Sequence, residues 1–254
     1  MTTELATLDV QGRIARLTLN RPEARNALSI DLLSALRTHV EHLHTLSEQD
    51  DRPTVVVVTG AGKAFCAGMD LKAVLGEPTA PPKLLGSLAE LCLRLRALPM
   101  VLVARVNGAA IGGGCGLTCV CDVSVTHADA KLGYPEVDLG VCPAVVAPWL
   151  VRKIGAGRAR AVLLRGGIMS GSAAAAIGLV DEVAPSADDL DAATEKIVAR
   201  LAEAGPKALA ATKGLLNTLD GSLDEATSRR GAELSAGVLA DPVVRAGLAA
   251  KFGG

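Results

Sequence analysis

NGAAIGGGCGLTCVCD, residues Asn107 to Asp122, follows the apolar run Val101–Val106. That run is β-branched and has the length of a buried strand. Gly112, Gly113 and Gly114 then open a segment whose Leu117, Val120 and Cys121 fit one helical face. Glycines at a helix start let the backbone come close to a partner, because no Cβ stands in the way. Unpaired N–H groups there, with the positive end of the helix dipole, favour an incoming negative charge. An acyl oxyanion would suit such a spot, and a tight strand-to-helix turn would explain the glycines equally well. No Gly-Lys-Ser/Thr follows, so this is not a P-loop. The G-x-G-x-x-G spacing of a dinucleotide fingerprint is absent too.

Around this stretch, strands alternate with helices. Ile14–Leu19 alternates like a strand and is broken by Asn20-Arg21-Pro22. The loop Arg21–Ser29 (RPEARNALS) ends in Ser29, an N-cap for a helix over Ile30–Leu46. Thr54–Thr59 is a buried strand, and the glycine-bearing loop that follows contains Ala64–Leu71 (AFCAGMDL). Gly76–Pro82 has the composition of a flexible segment, and Leu84–Leu98 carries leucines at helical spacing up to Pro99. Past the glycine helix come a strand at Val123–Thr126, mixed loop and extended chain over Lys131–Val141, and a helix at Val145–Ile154. Short helices at Ala159–Leu164 and Ser172–Ile177 lead to a strand within Gly178–Val183. From Asp188 the pattern is helical: Asp188–Ala204, Pro206–Leu219, Ser222–Val238 and Pro242–Ala250. The pattern predicts an α/β core over 1–187 and a helical region over 188–254.

Composition excludes several functions. The chain has 254 residues, 50% of them hydrophobic and mainly Ala, Val and Leu, which is enough for one sizeable core. A net charge of −1 gives no case for nucleic acid or an anionic membrane surface. No signal-peptide pattern and no apolar run of spanning length is visible, and the six cysteines lie mostly in apolar runs. A soluble cytoplasmic protein with reduced thiols is expected. Cys115, Cys119 and Cys121 lack CxxC spacing and matched histidines, so no metal site is expected. His39, His42 and His44 lie on a polar helix and are expected to be solvated.

Six pieces in order, NRPEARNALS, TGAGKAFCAGMDL, ARVNGAAIGGGCGL with its CD, YPEVDLGVCPA, RKIG and GLVDEV, resemble the crotonase (enoyl-CoA hydratase/isomerase) superfamily over nearly the whole chain. The resemblance implies a spiral of ββα units with a C-terminal helical extension that builds a homotrimer or a dimer of trimers. It also implies an acyl-CoA thioester substrate and no cofactor beyond the coenzyme A of that substrate. Two backbone N–H groups would polarise the thioester carbonyl, here those of Met69 and Gly113. Each such donor is worth about 3 kcal/mol to an enolate-like transition state. Gly68, Gly112 and Gly116 are expected beside the substrate. The RPEARNALS loop would hold the CoA pyrophosphate and adenine side, with Arg25 near phosphate, Ala27 contributing backbone and Arg21 as the competitor. Ala67, Asp70 and Leu71 match positions along the adenine and pantetheine path.

Glu136 matches the position of a catalytic carboxylate in many relatives, and an apolar pocket would raise its pKa. Locally it looks like a surface glutamate after a proline. The departure from the family is Gly116, where two-glutamate hydratases carry their second carboxylate. Ala144 replaces the aspartate used by dienoyl-CoA isomerases and an aryl-CoA dehalogenase, and Asp138 matches no functional position. With Gly116, PAVVAPWLVRKIG (143–155) resembles bacterial hydratases of methylglutaconyl-type CoA esters. Hydration of a 2-enoyl-CoA, branched and glutaconyl-type esters included, is therefore the expected reaction, with Glu136 as the one acid/base group. The alternatives are 3-enoyl to 2-enoyl isomerisation by the single carboxylate, and a non-catalytic acyl-CoA binder. Trp149 and Val145–Val146 are further candidates for shaping the pocket.

Overall fold

The computed structural model describes residues 4–49, 51–77 and 80–252. Its strands are β1 (Ala6–Gln11), β2 (Ile14–Leu19), β3 (Val55–Gly60), β4 (Ala64–Cys66), β5 (Val101–Val106), β6 (Ala109–Ile111), β7 (Val123–His127), β8 (Lys131–Gly133), β9 (Ile168–Ser170) and β10 (Glu182–Ala184). They form a six-stranded sheet, β1-β2-β3-β5-β7-β10, and a four-stranded sheet, β4-β6-β8-β9. Each pass of the chain places one strand in the large sheet and the next in the small one: β3 then β4, β5 then β6, β7 then β8. That repetition is the spiral of ββα units, with helices closing the turns. Among them are α1 (Ile30–Leu46), α2 (Leu71–Gly76), α3 (Ala80–Ala97) and α4 (Gly113–Val120). Further on lie α5 (Ala147–Ile154), α6 (Ala156–Arg165) and α7 (Gly171–Ala176).

The large sheet is buried on both faces, which is why its central strands read as unbroken valine runs. Val56 and Val58 of β3 point into the main core with Leu102 and Ala104 of β5. Val55, Val57, Val103 and Val125 face the other way, under Leu190 and Val198 of α8 (Leu190–Glu203). Ser29 caps α1, its hydroxyl accepting from Leu32 N at 3.2 Å, and Leu32, Leu36, Val40 and Leu43 bury one face. His39 and His44 are not simply solvated: each ring nitrogen meets a backbone oxygen, of Ala6 at 3.1 Å and Arg94 at 3.3 Å.

The C-terminal helices return to the same body. In α9 (Pro206–Leu219) buried Lys213 donates to Met100 O at 2.8 Å and pairs with Asp122. In α10 (Glu225–Ala240) the small residues Gly231, Ala232, Ser235 and Ala236 are buried. From α11 (Pro242–Phe252) Arg245 donates to Leu75 O.

Three boundaries differ from expectation in ways that matter for the site. Gly76 closes α2, and Ala80–Pro82 already open α3, with its prolines in the first turn where no helical N–H is needed. Pro78 and Thr79, also expected in that flexible segment, lie outside the described residues. Helix α5 begins at Ala147, with Pro148 in its first turn, so Val145 and Val146 precede the helix and are free to line a cleft.

Candidate active site

Strand β5 carries the chain into β6, and Gly112 turns it into α4 with φ +53°, a conformation that side chains disfavour. A Cβ on Gly112 would stand 2.7 Å from Oε1 of Glu136, so the bare backbone is also what lets that carboxyl approach. A Cβ on Gly114 would strike the Cys66 carbonyl. These contacts show that the glycine run packs the helix start tightly, with no room for side chains at Gly112 and Gly114.

The second arm comes from the loop after β4. Gly68, at φ +88°, precedes Met69, which forms an isolated parallel bridge with Leu28. Leu28 N donates to Gly68 O at 2.7 Å and Asp70 N to Leu28 O at 3.0 Å. Backbone alternation therefore turns the Met69 N–H away from Leu28. A Cβ on Gly68 would lie 3.8 Å from Gly113 N, so the two stretches of main chain are neighbours. Neither the Met69 nor the Gly113 N–H has an acceptor among the described residues. Both residues line one cleft, whose enclosed space is about 90 Å³.

Glu136 lies in the same cleft, at the start of a single 3-10 turn over Val137–Leu139. Burial pushes its carboxyl up from 4.5 to about 7, opposed only by its own backbone N–H. Its Oε2 is buried without a hydrogen-bond partner. A buried orphan oxygen of this kind calls for an explanation, and a proton-handling role supplies one. Among the described lining residues it is the one carboxyl.

Ala67, Gly68, Leu71 and Gly112 join Met69, Gly113 and Glu136 on the cleft wall; Arg25, Ala27, Asp70 and Gly116 do not. Each of these four has a distinct place. Arg25 is exposed, in the left-handed region at φ 51°, with no ion pair among the described residues. Arg21, its competitor, is already engaged: it donates to Ala27 O at 3.1 Å and pairs with Asp70 at 2.7 Å. Asp70 also caps α2 by accepting from Ala73 N. The geometry thus leaves Arg25, not Arg21, with a free guanidinium. Gly116 is not an opening beside the substrate. Val146 sits over it, and a Cβ at 116 would fall 2.8 Å from the Val146 Cβ.

Other contributors had little or no local signal. Asn26 is buried at φ 55°, accepts from Arg21 N at 2.8 Å, and donates to the carbonyls of Ala61 and Ala64. It pins the RPEARNALS loop. Leu84, Leu85 and Leu88 of α3 and Ser235 of α10 complete the wall with Val141, Val145 and Val146. Trp149 stays out of the cleft, buried beneath the Arg152 guanidinium 5.3 Å from its ring centre. Asp138 is structural: its carboxylate accepts from Gly167 N at 2.8 Å.

Comparisons with known proteins identify the family. Residues 9–241 match the enoyl-CoA hydratase/isomerase family. The chain is 37% identical over 207 residues to the 2,3-dehydroadipyl-CoA hydratase of Escherichia coli, covering 81% of this chain and 79% of that one. It is 32% identical over 213 residues to the short-chain-enoyl-CoA hydratase of Clostridium acetobutylicum, covering 83% and 80%. The crystal structure of an enoyl-CoA hydratase/isomerase from Mycobacterium paratuberculosis superposes with a TM-score of 0.87 at 25% identity, over 98% of both chains. From the repeated ββα spiral, the glycine-opened helix and the match along nearly its full length, the chain belongs to the enoyl-CoA hydratase/isomerase family of the crotonase superfamily.

Proposed function

We propose that this enzyme adds water across the double bond of a 2-enoyl-CoA, with Glu136 as its single acid/base group. The carrying observation is that a buried carboxyl and two unpaired main-chain N–H groups share one cleft. The thioester oxygen accepts from Met69 and Gly113, where the positive end of α4 adds to the field. With a pKa of about 7, Glu136 is substantially ionised at neutral pH yet still able to return a proton. Its carboxylate takes a proton from water as the water oxygen bonds to Cβ. The electron pair of the double bond moves through Cα onto the thioester oxygen, giving an enolate. The enolate then collapses and Cα takes a proton from the Glu136 acid, restoring the carboxylate. Val146 over Gly116 supports a one-carboxyl mechanism, since even a Cβ at 116 would meet it.

Arg25, with its free guanidinium, meets the phosphates of CoA, and Ala67 and Leu71 flank the pantetheine arm. Ala27 and Asp70 act by holding Arg21 and the loop in place. The helices over 188–254 assemble a homotrimer or a dimer of trimers, supported by the exposed Leu215, Leu216, Leu219 and Leu234 on α9 and α10. The enzyme works in the cytoplasm; no helix among the described residues is long and apolar enough to cross a membrane.

One observation favours a second reading: a lone carboxyl in an apolar wall is sufficient for moving a proton between allylic carbons. Product identification separates the cases. Incubation with 2-enoyl-CoA esters is expected to give the 3-hydroxyacyl product. Conjugation of a 3-enoyl-CoA with no hydroxylated product would establish the isomerase instead. Tight ester binding without turnover of either series would leave a binding protein and refute both.

A further inference from the structure

We infer that the acyl end of the cleft admits an uncharged hydrocarbon chain and excludes one that ends in a carboxylate; this rests on the cleft being the acyl-CoA site proposed above. Gly113 and Gly116 are three residues apart on α4, and Val146, seated on Gly116, presents hydrocarbon to the cleft within about one helical turn of Gly113. The surrounding wall is Leu84, Leu88, Val141 and Val145. An acyl chain that runs from the thioester past Glu136 meets hydrocarbon on all these sides.

A carboxylate brought there would need a cation or donors, because a lone buried anion carries a heavy desolvation cost. None of the described lining residues is Lys, Arg or His. The hydroxyl of Ser235, which reaches the same wall, already donates to Cys142 O at 2.8 Å and accepts from Ala144 N at 3.1 Å. It has no second proton to offer. The charged group that is present, Glu136, is of the same sign as the incoming carboxylate and would repel it. The cleft already raises that one native carboxyl to about 7, which shows how poorly it solvates an anion.

This departs from the glutaconyl-type substrate suggested by the resemblance at 143–155. It also separates the chain from its Escherichia coli relative, whose name specifies 2,3-dehydroadipyl-CoA. Family membership and 37% identity do not carry acyl specificity across when the wall lacks a counter-charge.

The test compares ligands that differ only in a terminal methyl or carboxylate. Calorimetric binding to the native enzyme at pH 7.5 is measured for butyryl-CoA against succinyl-CoA and for hexanoyl-CoA against adipyl-CoA, none of which needs turnover. The methyl-ended member of each pair is expected to bind at least about a hundredfold tighter, about 2.7 kcal/mol. Equal affinities, tighter binding of the carboxylate, or no binding of either methyl-ended ester would overturn the inference. Hydration of 2-hexenoyl-CoA and 2,3-dehydroadipyl-CoA is assayed alongside. A binding preference without hydration of either upholds the charge selectivity and removes the hydratase. Equal hydration of both, at equal kcat/KM, does the reverse.

Discussion

Changing Glu136 to Gln removes a titration whose size follows from where the carboxyl sits. In the folded chain the group is held at about 7 rather than 4.5, chiefly by burial. Between those values the folded state keeps a proton that the unfolded chain has released. The unfolded chain thus binds fewer protons, and stability falls as pH rises through this window. The distance from 4.5 to about 7, at about 1.36 kcal/mol per tenfold change in proton affinity, amounts to about 3 kcal/mol. That contribution is intact well below pH 4.5 and gone above pH 8. Glutamine keeps the shape of the protonated acid and cannot ionise. Urea unfolding at pH 5 and pH 8 should therefore show the wild type losing about 2 to 3 kcal/mol more than E136Q across the interval. The same variant should retain acyl-CoA binding and lose turnover at least about a hundredfold. Parallel stability changes in the two proteins would mean the carboxyl is solvated and the burial assignment is wrong. Near-wild-type turnover of E136Q would refute its role as the acid/base group.

Two further substitutions probe the wall. Gly116→Ala would ordinarily strengthen a helix by about 0.5–1 kcal/mol, but the new Cβ is driven into Val146. A loss of about 1–3 kcal/mol is expected by thermal or urea unfolding. Adding Val146→Ala should restore part of it, with a coupling of at least about 1 kcal/mol; strictly additive effects would refute the packing. Ser235→Ala leaves the Ala144 N–H and the Cys142 carbonyl without their partner, a cost of about 1–3 kcal/mol. Because those groups hold the loop that carries Val145 and Val146, KM for the acyl ester should rise more than kcat falls. Unchanged stability and KM would show that the serine positions nothing.

What the sequence disclosed depended on how local the signal was. The bounds of β2 and α1 were readable because alternation ends at Asn20 and because Ser29 is a strong cap. The three-residue strands β4, β6 and β9 are too short to alternate, and their pairing comes from neighbours far along the chain. Strand β1 and helix α2 likewise lacked a pattern strong enough to predict. Gly113 and Met69 were placed by the motifs around them. Glu136 was singled out only by the resemblance that YPEVDLG carries; locally it reads as a surface glutamate, because its burial is made by parts of the chain distant in sequence. Nothing near Ser235 marks it as a wall residue: its partners Cys142 and Ala144 lie on another element. Arg25 was preferred to Arg21 through the resemblance; no local signal in the sequence shows that Asp70 occupies Arg21.

Gly116 is the position where sequence and structure teach different things. In the sequence it is a missing carboxylate and a glycine expected beside the substrate. In the fold that space is taken by Val146. A glutamate restored at 116 would therefore meet the valine before it met a substrate. The loss of the second acid and the presence of the valine are one steric fact. This ties the proposed mechanism to the proposed specificity: the valine that covers position 116 is also one of the hydrocarbon side chains lining the cleft. A variant that regained a two-carboxyl site would have to shrink Val146 first, and in doing so would open the wall that selects the substrate.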